Sequence, residues 1–258
     1  EEMEIPGEVI TRDCLEPVFR ERWPDTHKGS YGHVLVCAGS AGKLGAGVLA
    51  SRGALRTGAG LVTLAVPASG LNEVDAATPE VMAAALPETD EGSLSIKGLN
   101  ALRRLINERD ALAIGPGLST HPDVAVLVRG ILEDGGFPAV VDADALNVLG
   151  TELAWLRVRG PFTVLTPHPG EMGRLLGLQT RDVQGDRIGS ALRLAERSGC
   201  TVVLKGAGTI VAQPDGKFFI NTTGNAGMAT GGTGDVLTGM IGAVLAMGFD
   251  PLTSARVA

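Results

Sequence analysis

Aromatic side chains are nearly missing from this sequence. Six Phe, two Trp and one Tyr make up 3% of 258 residues, so any core has to be built from aliphatic side chains. Cysteine is scarce as well: Cys14, Cys37 and Cys200 are odd in number, widely spaced and without a CxxC pair. Neither a disulfide framework nor a zinc site follows, and a reducing, cytoplasmic setting is expected. No apolar run reaches the ~18 residues that a membrane span requires. Positive charge is in deficit, with 22 Lys plus Arg against 29 Asp plus Glu, a net charge of −7. Such a chain has no basic field for gathering nucleic acid or an anionic membrane. Any phosphate it binds must be held locally.

What remains is an ordinary globular balance, 44% apolar and 20% charged, long enough for one large α/β domain. The chain begins at Glu1 with an acidic opening (Glu1, Glu2, Glu4) and is expected to be a processed product or a piece of something longer. Residues 1–28 read as a polar lead-in punctuated by Pro6, Pro17 and Pro24, with a short helical candidate near Leu15–Arg22. Regular alternation starts after Lys28-Gly29. The short aliphatic runs His33–Ala38, Leu61–Val66, Ala111–Ile114, Ala139–Val141, Thr163–Leu165 and Thr201–Leu204 read as buried strands. Helical stretches at Gly47–Arg56, Gly98–Asn107, Val124–Glu133, Gly170–Leu176 and Arg187–Arg197 fall between most of them. Strands alternating with helices predict an α/β fold, a mostly parallel central sheet flanked by helices on both faces. Thr209–Val211 and Lys217–Ile220 flank Pro214-Asp215-Gly216, a hairpin signal.

The stretch Thr233–Met247 carries Val236, Leu237, Met240, Ile241, Val244, Leu245 and Met247 and shows no polar face, so a buried central helix is expected. Pro251 opens one more short helix. It is too short to stand alone, which predicts that Pro251–Ala258 packs on the domain and that the natural domain runs on beyond it.

The 37 glycines cluster at the ends of predicted strands, where ligands bind in open α/β sheets. Two phosphate motifs fail. A Walker loop at Gly42-Lys43 needs Gly in place of Cys37 and Ser or Thr in place of Leu44. Gly45-Ala46-Gly47 is followed by Ala50, so the dinucleotide fingerprint is broken too. The run Gly224–Asp235 differs in kind, because it leads straight into the buried helix, where free N–H groups and the helix dipole favour an anion. Asp235 in the first turn is either a capping carboxylate or a base for a hydroxyl acceptor beside a bound phosphate. Thr233 already offers a cap, which favours the base. Thr166–Glu171 either caps a helix or places Glu171 near a metal-bound water. Asp142–Asn147 either organises a cation or begins a helix.

Taken in order, several motifs resemble one family. They are Lys28–Gly32, Gly39-Ser40 with Gly45-Ala46, Gly58–Val62, Gly115–Leu118, Asp142–Asn147, Thr166–Glu171, Lys205-Gly206 and Gly231–Asp235. The sequence from about residue 28 to 258 resembles the ADP- or ATP-dependent NAD(P)H-hydrate dehydratases of the ribokinase-like superfamily. The lead-in, with Ile5-Pro6, resembles the linker after the epimerase domain of two-domain versions. The resemblance implies residues 29–258 as the dehydratase domain, an epimerase domain fused at the N-terminus, and a homo-oligomer, tetramer or larger. It implies a nucleotide cradle from Lys205, Gly206, Ala207, Gly208 and Thr209 together with Asn225, Ala226, Gly227, Met228, Ala229, Thr230, Gly231, Gly232, Thr233 and Gly234. It implies a hydrate-binding surface from Ala46, Gly117, His168, Pro169, Gly170, Glu171, Met172, Gly173 and Arg174, with Asp235 touching substrate as the catalytic base. Magnesium is implied near Glu171, through water. The implied reaction returns hydrated NADH or NADPH to the reduced dinucleotide, with ADP, or less favoured ATP, as phosphoryl donor, leaving AMP and phosphate. His168 stands where the kinases of the superfamily often carry Asn, and Ser119 where relatives often have Gly, a change of little expected consequence. The rival readings are a small-molecule kinase acting on a vitamin precursor and a non-catalytic ADP-binding module.

Overall fold

The aliphatic runs pair side by side, because backbone stripped of water must hydrogen-bond to more backbone. In the computed structural model, which describes residues 6–258, they form one ten-stranded sheet. The acidic opening and Ile5 lie outside the described residues. The strands are β1 (Gly7–Val9), β2 (His33–Cys37), β3 (Leu61–Pro67), β4 (Met82–Leu86), β5 (Ala111–Ile114), β6 (Ala139–Val141), β7 (Thr163–Leu165), β8 (Thr201–Leu204), β9 (Thr209–Ala212) and β10 (Phe218–Asn221). Their order is β1-β10-β9-β8-β7-β6-β5-β2-β3-β4. From β8 to β4 every pairing is parallel, while β9 runs antiparallel to β8 and β10, as its hairpin turn requires.

Side-chain alternation divides each strand between two cores. Val34 and Val36 of β2 face a layer containing α1 (Leu44–Thr57), α2 (Leu71–Ala77), α9 (Thr233–Ala246) and α10 (Pro251–Val257). Leu35 and Cys37 face the other layer, with α3 (Leu99–Asn107), α4 (Pro122–Asp134), α5 (Ala143–Asn147), α6 (Pro169–Leu176), α7 (Thr180–Gly185) and α8 (Arg187–Ser198). Fully buried residues are almost all Leu, Val, Ile and Ala, the aliphatic core that the lack of aromatics demanded. Among the described residues no helix is long and apolar enough to cross a membrane.

Three local expectations need correction. Leu15–Arg22 is not an α-helix. A single 3-10 turn at Arg12–Leu15 runs out in bonds from the Val18 and Phe19 amides to the Leu15 carbonyl, because Pro17 brings no N–H to continue the ladder. The lead-in is more than a linker, since Gly7–Val9 pairs in parallel with β10 and forms one edge of the sheet. Unpredicted, α2 and β4 form the other edge. The β4 sequence Met82–Leu86 is mostly alanine, a poor strand signal, and it is held by pairing with β3.

Helix α9 is buried as expected and lies against α1 with backbone almost touching backbone. A Cβ on Gly239 would collide with the Ala50 carbonyl oxygen, and one on Gly53 would lie 2.6 Å from the Val236 carbonyl oxygen. The two helices meet across a glycine seam that tolerates no side chain. Pro251–Val257 packs on α9 with Ser254, Ala255 and Val257 buried.

Gly239→Ala is therefore expected to wedge α1 from α9 and lower stability by about 1–3 kcal/mol or more. Gly242→Ala meets only side chains, at 3.3 Å, and is expected to cost less. Denaturant unfolding of both variants measures the difference, and equal midpoints would remove the seam as a constraint.

Candidate active site at the carboxyl edge of the sheet

The loops leaving β2, β5, β6, β7 and β8 all emerge at the carboxyl edge of the parallel strands, and the glycine seam delivers the N-terminus of α9 to the same edge. The N-cap of α9 is Gly232, in the left-handed region at φ 91°, and no side chain of the described residues caps the helix. Thr233, expected to cap, does not. Its hydroxyl turns back to donate to the Met228 carbonyl at 2.9 Å and the Thr230 carbonyl at 3.2 Å, folding the glycine-rich loop onto the helix start. The first amides of α9 are thus left for an anion, with the helix dipole behind them.

Beneath that end lies a buried polar cluster. Asp142, 1% exposed, follows β6. Its carboxylate accepts from Lys205 Nζ at 2.5 Å and from the Thr238 hydroxyl at 2.7 Å. Lys205, following β8, also stands 3.8 Å from Glu171. The ammonium comes close enough to the helix that a Cβ on Gly234 would lie 3.4 Å from it. Asp142 opens α5 without making a capping bond, so beginning a helix is not the work of its side chain. Asp144 instead receives the Ser119 amide at 2.8 Å and Lys43 Nζ at 3.4 Å.

The start of α6 is a reciprocal cap. The His168 ring accepts from the Gly170 and Glu171 amides, and Glu171 accepts from the His168 amide at 2.8 Å. Glu171 is a cap after all, and also a neighbour of Lys205. Burial pushes its pKa up, opposed by the Lys205 charge. Arg174 donates to Asn147, whose amide donates to Asp144, joining the α6 surface to the β6 loop.

Asp235 has no hydrogen-bond or salt-bridge partner among the described residues. Burial lifts its pKa to about 6, and the negative charges of Asp142 and Asp144 push the same way against Lys205. A capping carboxylate at this position would accept a backbone amide and be held low. Asp235 is held high and unengaged, which suits a base.

Other expected residues fall into place unevenly. Ala46 and Gly117 are neighbours, since a Cβ on Gly117 would sit 3.1 Å from the Ala46 Cβ. The Lys205–Thr209 loop is braced by Arg187, which donates to the Leu204 and Gly208 carbonyls. Asn225–Gly231 is exposed and hydrogen-bonds to the start of α9 through the Thr233 hydroxyl. Two of the expected substrate-contact residues lie in the interior. Met172 is 0% exposed and belongs to the core, and Gly173 packs against the Leu178 carbonyl, because one face of α6 has to cover the sheet. Ser119 matters more than expected: at φ 72° it occupies a conformation that suits Gly. Thr238 was missed. Its one signal is a hydroxyl within the otherwise apolar stretch Val236–Ala246 of the helix.

Comparison with known proteins fits this geometry. The family model described as NAD(P)H-hydrate dehydratase matches residues 34–258. The chain is 49% identical over 250 residues to the bifunctional NAD(P)H-hydrate repair enzyme Nnr of Moorella thermoacetica, covering 96% of this chain and 47% of that protein. It is 42% identical to the ADP-dependent (S)-NAD(P)H-hydrate dehydratase of Neisseria meningitidis, covering 90% of this chain and 75% of that one. The chain thus spans about half the length of the bifunctional relatives it matches. Among solved structures it resembles the ADP/ATP-dependent NAD(P)H-hydrate dehydratase of Bacillus subtilis co-crystallised with ATP and Mg2+. There the TM-score is 0.82 and the identity 32%, over 97% of this chain and 85% of that one. Phosphofructokinase-2 of Escherichia coli, at 18% identity and TM-score 0.58 over 83% of this chain and 88% of that one, shares the fold alone. By its family model, its relatives and its ribokinase-like architecture, the chain belongs to the NAD(P)H-hydrate dehydratase family.

Proposed function

We propose that this chain dehydrates the hydrated nicotinamide ring of NADH or NADPH hydrate, using an adenine nucleotide, ADP in first place, as phosphoryl donor. The observation that carries the proposal is Asp235: a half-buried, unpartnered carboxylate at the uncapped head of α9, beside Lys205. The nucleotide phosphates would lie on the α9 amides with Lys205 as their counter-charge, and the Lys205–Thr209 and Asn225–Gly234 loops on either side. The reduced ring would lie toward Ala46, Gly117, His168 and Arg174.

Asp235 takes the proton of the ring hydroxyl, and the freed oxygen attacks the terminal phosphorus of ADP as the bond to AMP breaks. The ring nitrogen lone pair then expels phosphate to leave an iminium, and loss of a proton from the adjacent ring carbon restores the reduced ring. The α9 amides and Lys205 hold the charge that gathers on the transferring oxygens.

The described residues hold no cluster of three metal-ligating side chains, and the oxygens of Glu171 face His168 and Lys205, which favours magnesium held mainly on phosphate over a protein cage. An ion carried on phosphate oxygens, reaching Glu171 through water, is consistent with how Mg2+ is usually held. It would supply neutralisation of phosphate charge. A fused epimerase domain, as in the bifunctional relatives, and an oligomer are proposed on the same resemblance.

Asp235→Asn is expected to lower turnover by at least ~10²-fold while ADP affinity by calorimetry is kept or improved. The wild-type rate is expected to rise with pH through about 6, the Asp235 pKa. Folding raises this pKa, so the neutral form is favoured in the fold, and the wild-type chain loses stability as pH climbs from about 4 through about 6. Asn never ionises, so the variant is expected to melt no lower than wild type at about pH 7.5 and to converge with it near pH 4. Near-normal turnover with intact binding would end the assignment. A stable phosphorylated product from the wild-type chain would make it a kinase instead.

Lys205→Met strands the buried Asp142 charge and is expected to cost about 3–5 kcal/mol. Lys205→Met with Asp142→Asn is expected to recover most of that loss without recovering ADP affinity. Thermal melts and calorimetry on the three variants separate the phosphate-binding role of Lys205 from its structural one. Recovery of ADP affinity in the double variant would remove Lys205 from the phosphate site.

A further inference from the structure

The loops after β2, β4 and β5 enclose a second feature of the carboxyl edge, a cleft of about 580 Å3 lined by Ser40, Lys43, Glu91, Ser93, Ser119 and His121. Its volume lies in the range of small-molecule sites. It is continuous with the surface proposed to carry the reduced ring, because Ser40 donates to the Gly117 carbonyl at 2.8 Å and Lys43 directly precedes α1, which carries Ala46.

The cleft is built rather than incidental. The turn carrying Glu91 is closed by Gly92 N–H to the Thr89 carbonyl and pinned to the β2 loop by Ala41 N–H to the Gly92 carbonyl, both 2.9 Å. Gly92 is in the left-handed region at φ 71°, and a Cβ there would strike the Ala41 Cβ at 2.7 Å, so the two loops are locked together. On the opposite wall Ser119 is held in its strained conformation by Asp144 at its amide and by the Ser93 hydroxyl at 2.7 Å. Non-glycine strain of this kind persists only where the surroundings impose it. The His121 ring accepts the Asp123 amide at Nδ1, which leaves its proton on Nε2.

The chemistry of the lining selects among occupants. The Ser40, Ser93 and Ser119 hydroxyls are engaged with the Gly117 carbonyl and with each other, which leaves the His121 imidazole N–H to meet a sugar hydroxyl. Of the charges, Lys43 is already paired with Asp144, whereas Glu91 is exposed and has no partner among the described residues. A free carboxylate accepts hydrogen bonds from a ribose diol and repels a phosphate, the distinction by which dinucleotide sites separate NAD from its 2′-phosphorylated form. Distance agrees. From the β6 loop beside Asp235, the strands whose loops line the cleft, β5, β2 and β4, lie one, two and four strand spacings away, ~5–19 Å. That is a gap for a diphosphate bridge to cross, leading from the reacting ring to a second sugar.

We propose that this cleft holds the adenosine ribose of the dinucleotide substrate, with the Glu91 carboxylate accepting from its 2′-hydroxyl and so favouring the hydrate of NADH over that of NADPH. The proposal rests on the dehydratase function above. Two assays keep the two apart: kcat/KM for both hydrates with ADP, and the affinities for NADH and NADPH by fluorescence without nucleotide, on wild type, Glu91→Gln and Glu91→Arg.

Wild type is expected to prefer the NADH form. Glu91→Gln is expected to cut the preference by about ten-fold or more, the size of a charged hydrogen bond. Glu91→Arg is expected to invert it, and neither variant to raise the KM for ADP. If wild type turned over neither hydrate, the dehydratase function would fail, yet a preference for NADH in the binding assay that is lost in Glu91→Gln would still support the subsite. A wild-type chain indifferent to the 2′-phosphate in both assays, or an unchanged ratio in both variants, overturns the proposal. So does a rise in KM for ADP in place of a changed ratio, which would put the donor nucleotide in the cleft.

Discussion

The close crossing of α9 over α1 governs the rest of this molecule. Gly53 and Gly239 let the two backbones meet where any side chain would hold them apart, and the contact fixes both the depth and the direction of α9. A helix so placed cannot turn its first amides to solvent on the helix face. They open instead onto the carboxyl edge of the sheet, between the β6 and β8 loops. Leaving that end uncapped forgoes the stability that a side-chain cap supplies to a helix start. Sites that bind anions are where such a sacrifice is expected.

Charge around that end is arranged with the same economy. One ammonium, Lys205, faces Asp142 and Glu171, and Asp235 stands near by without a partner. Asp142 is fully engaged by Lys205 and Thr238, so its negative charge is fixed in position and felt by Asp235. That field, added to burial, is what separates Asp235 from an ordinary surface carboxylate. The same residue type in the same cluster thus stands in two states, one carboxylate holding a cation and the other left without a partner among the described residues.

Much of the fold was legible in the chain. Six aliphatic runs bounded by glycine or proline became six parallel strands with nearly the predicted limits, because a strand buried on both faces needs an unbroken apolar run. The hairpin at Pro214-Asp215-Gly216 was readable from turn chemistry alone. The edges were not. Residues Gly7–Val9 and the alanine-rich β4 have little strand character of their own and are made strands by the neighbours they pair with. At the site, Asp235, Lys205 and Glu171 were recognisable by type and position. That Met172 and Gly173 lie in the interior was not readable, because it depends on which face of α6 covers the sheet.

The sequence by itself determined the kinds of chemistry available: an anion site at a glycine-rich helix start, a carboxylate in the first turn, and no broad basic field. Those follow from local composition and period, which the chain carries at every point. It did not determine that Asp142 would reach Lys205, 63 residues on, and Thr238, 96 residues on. Nor did it show that Glu91 and Ser119 would line one cleft. Contacts at such separations depend on the order of strands in the sheet. That order is decided by which apolar faces are buried together when the whole chain has folded.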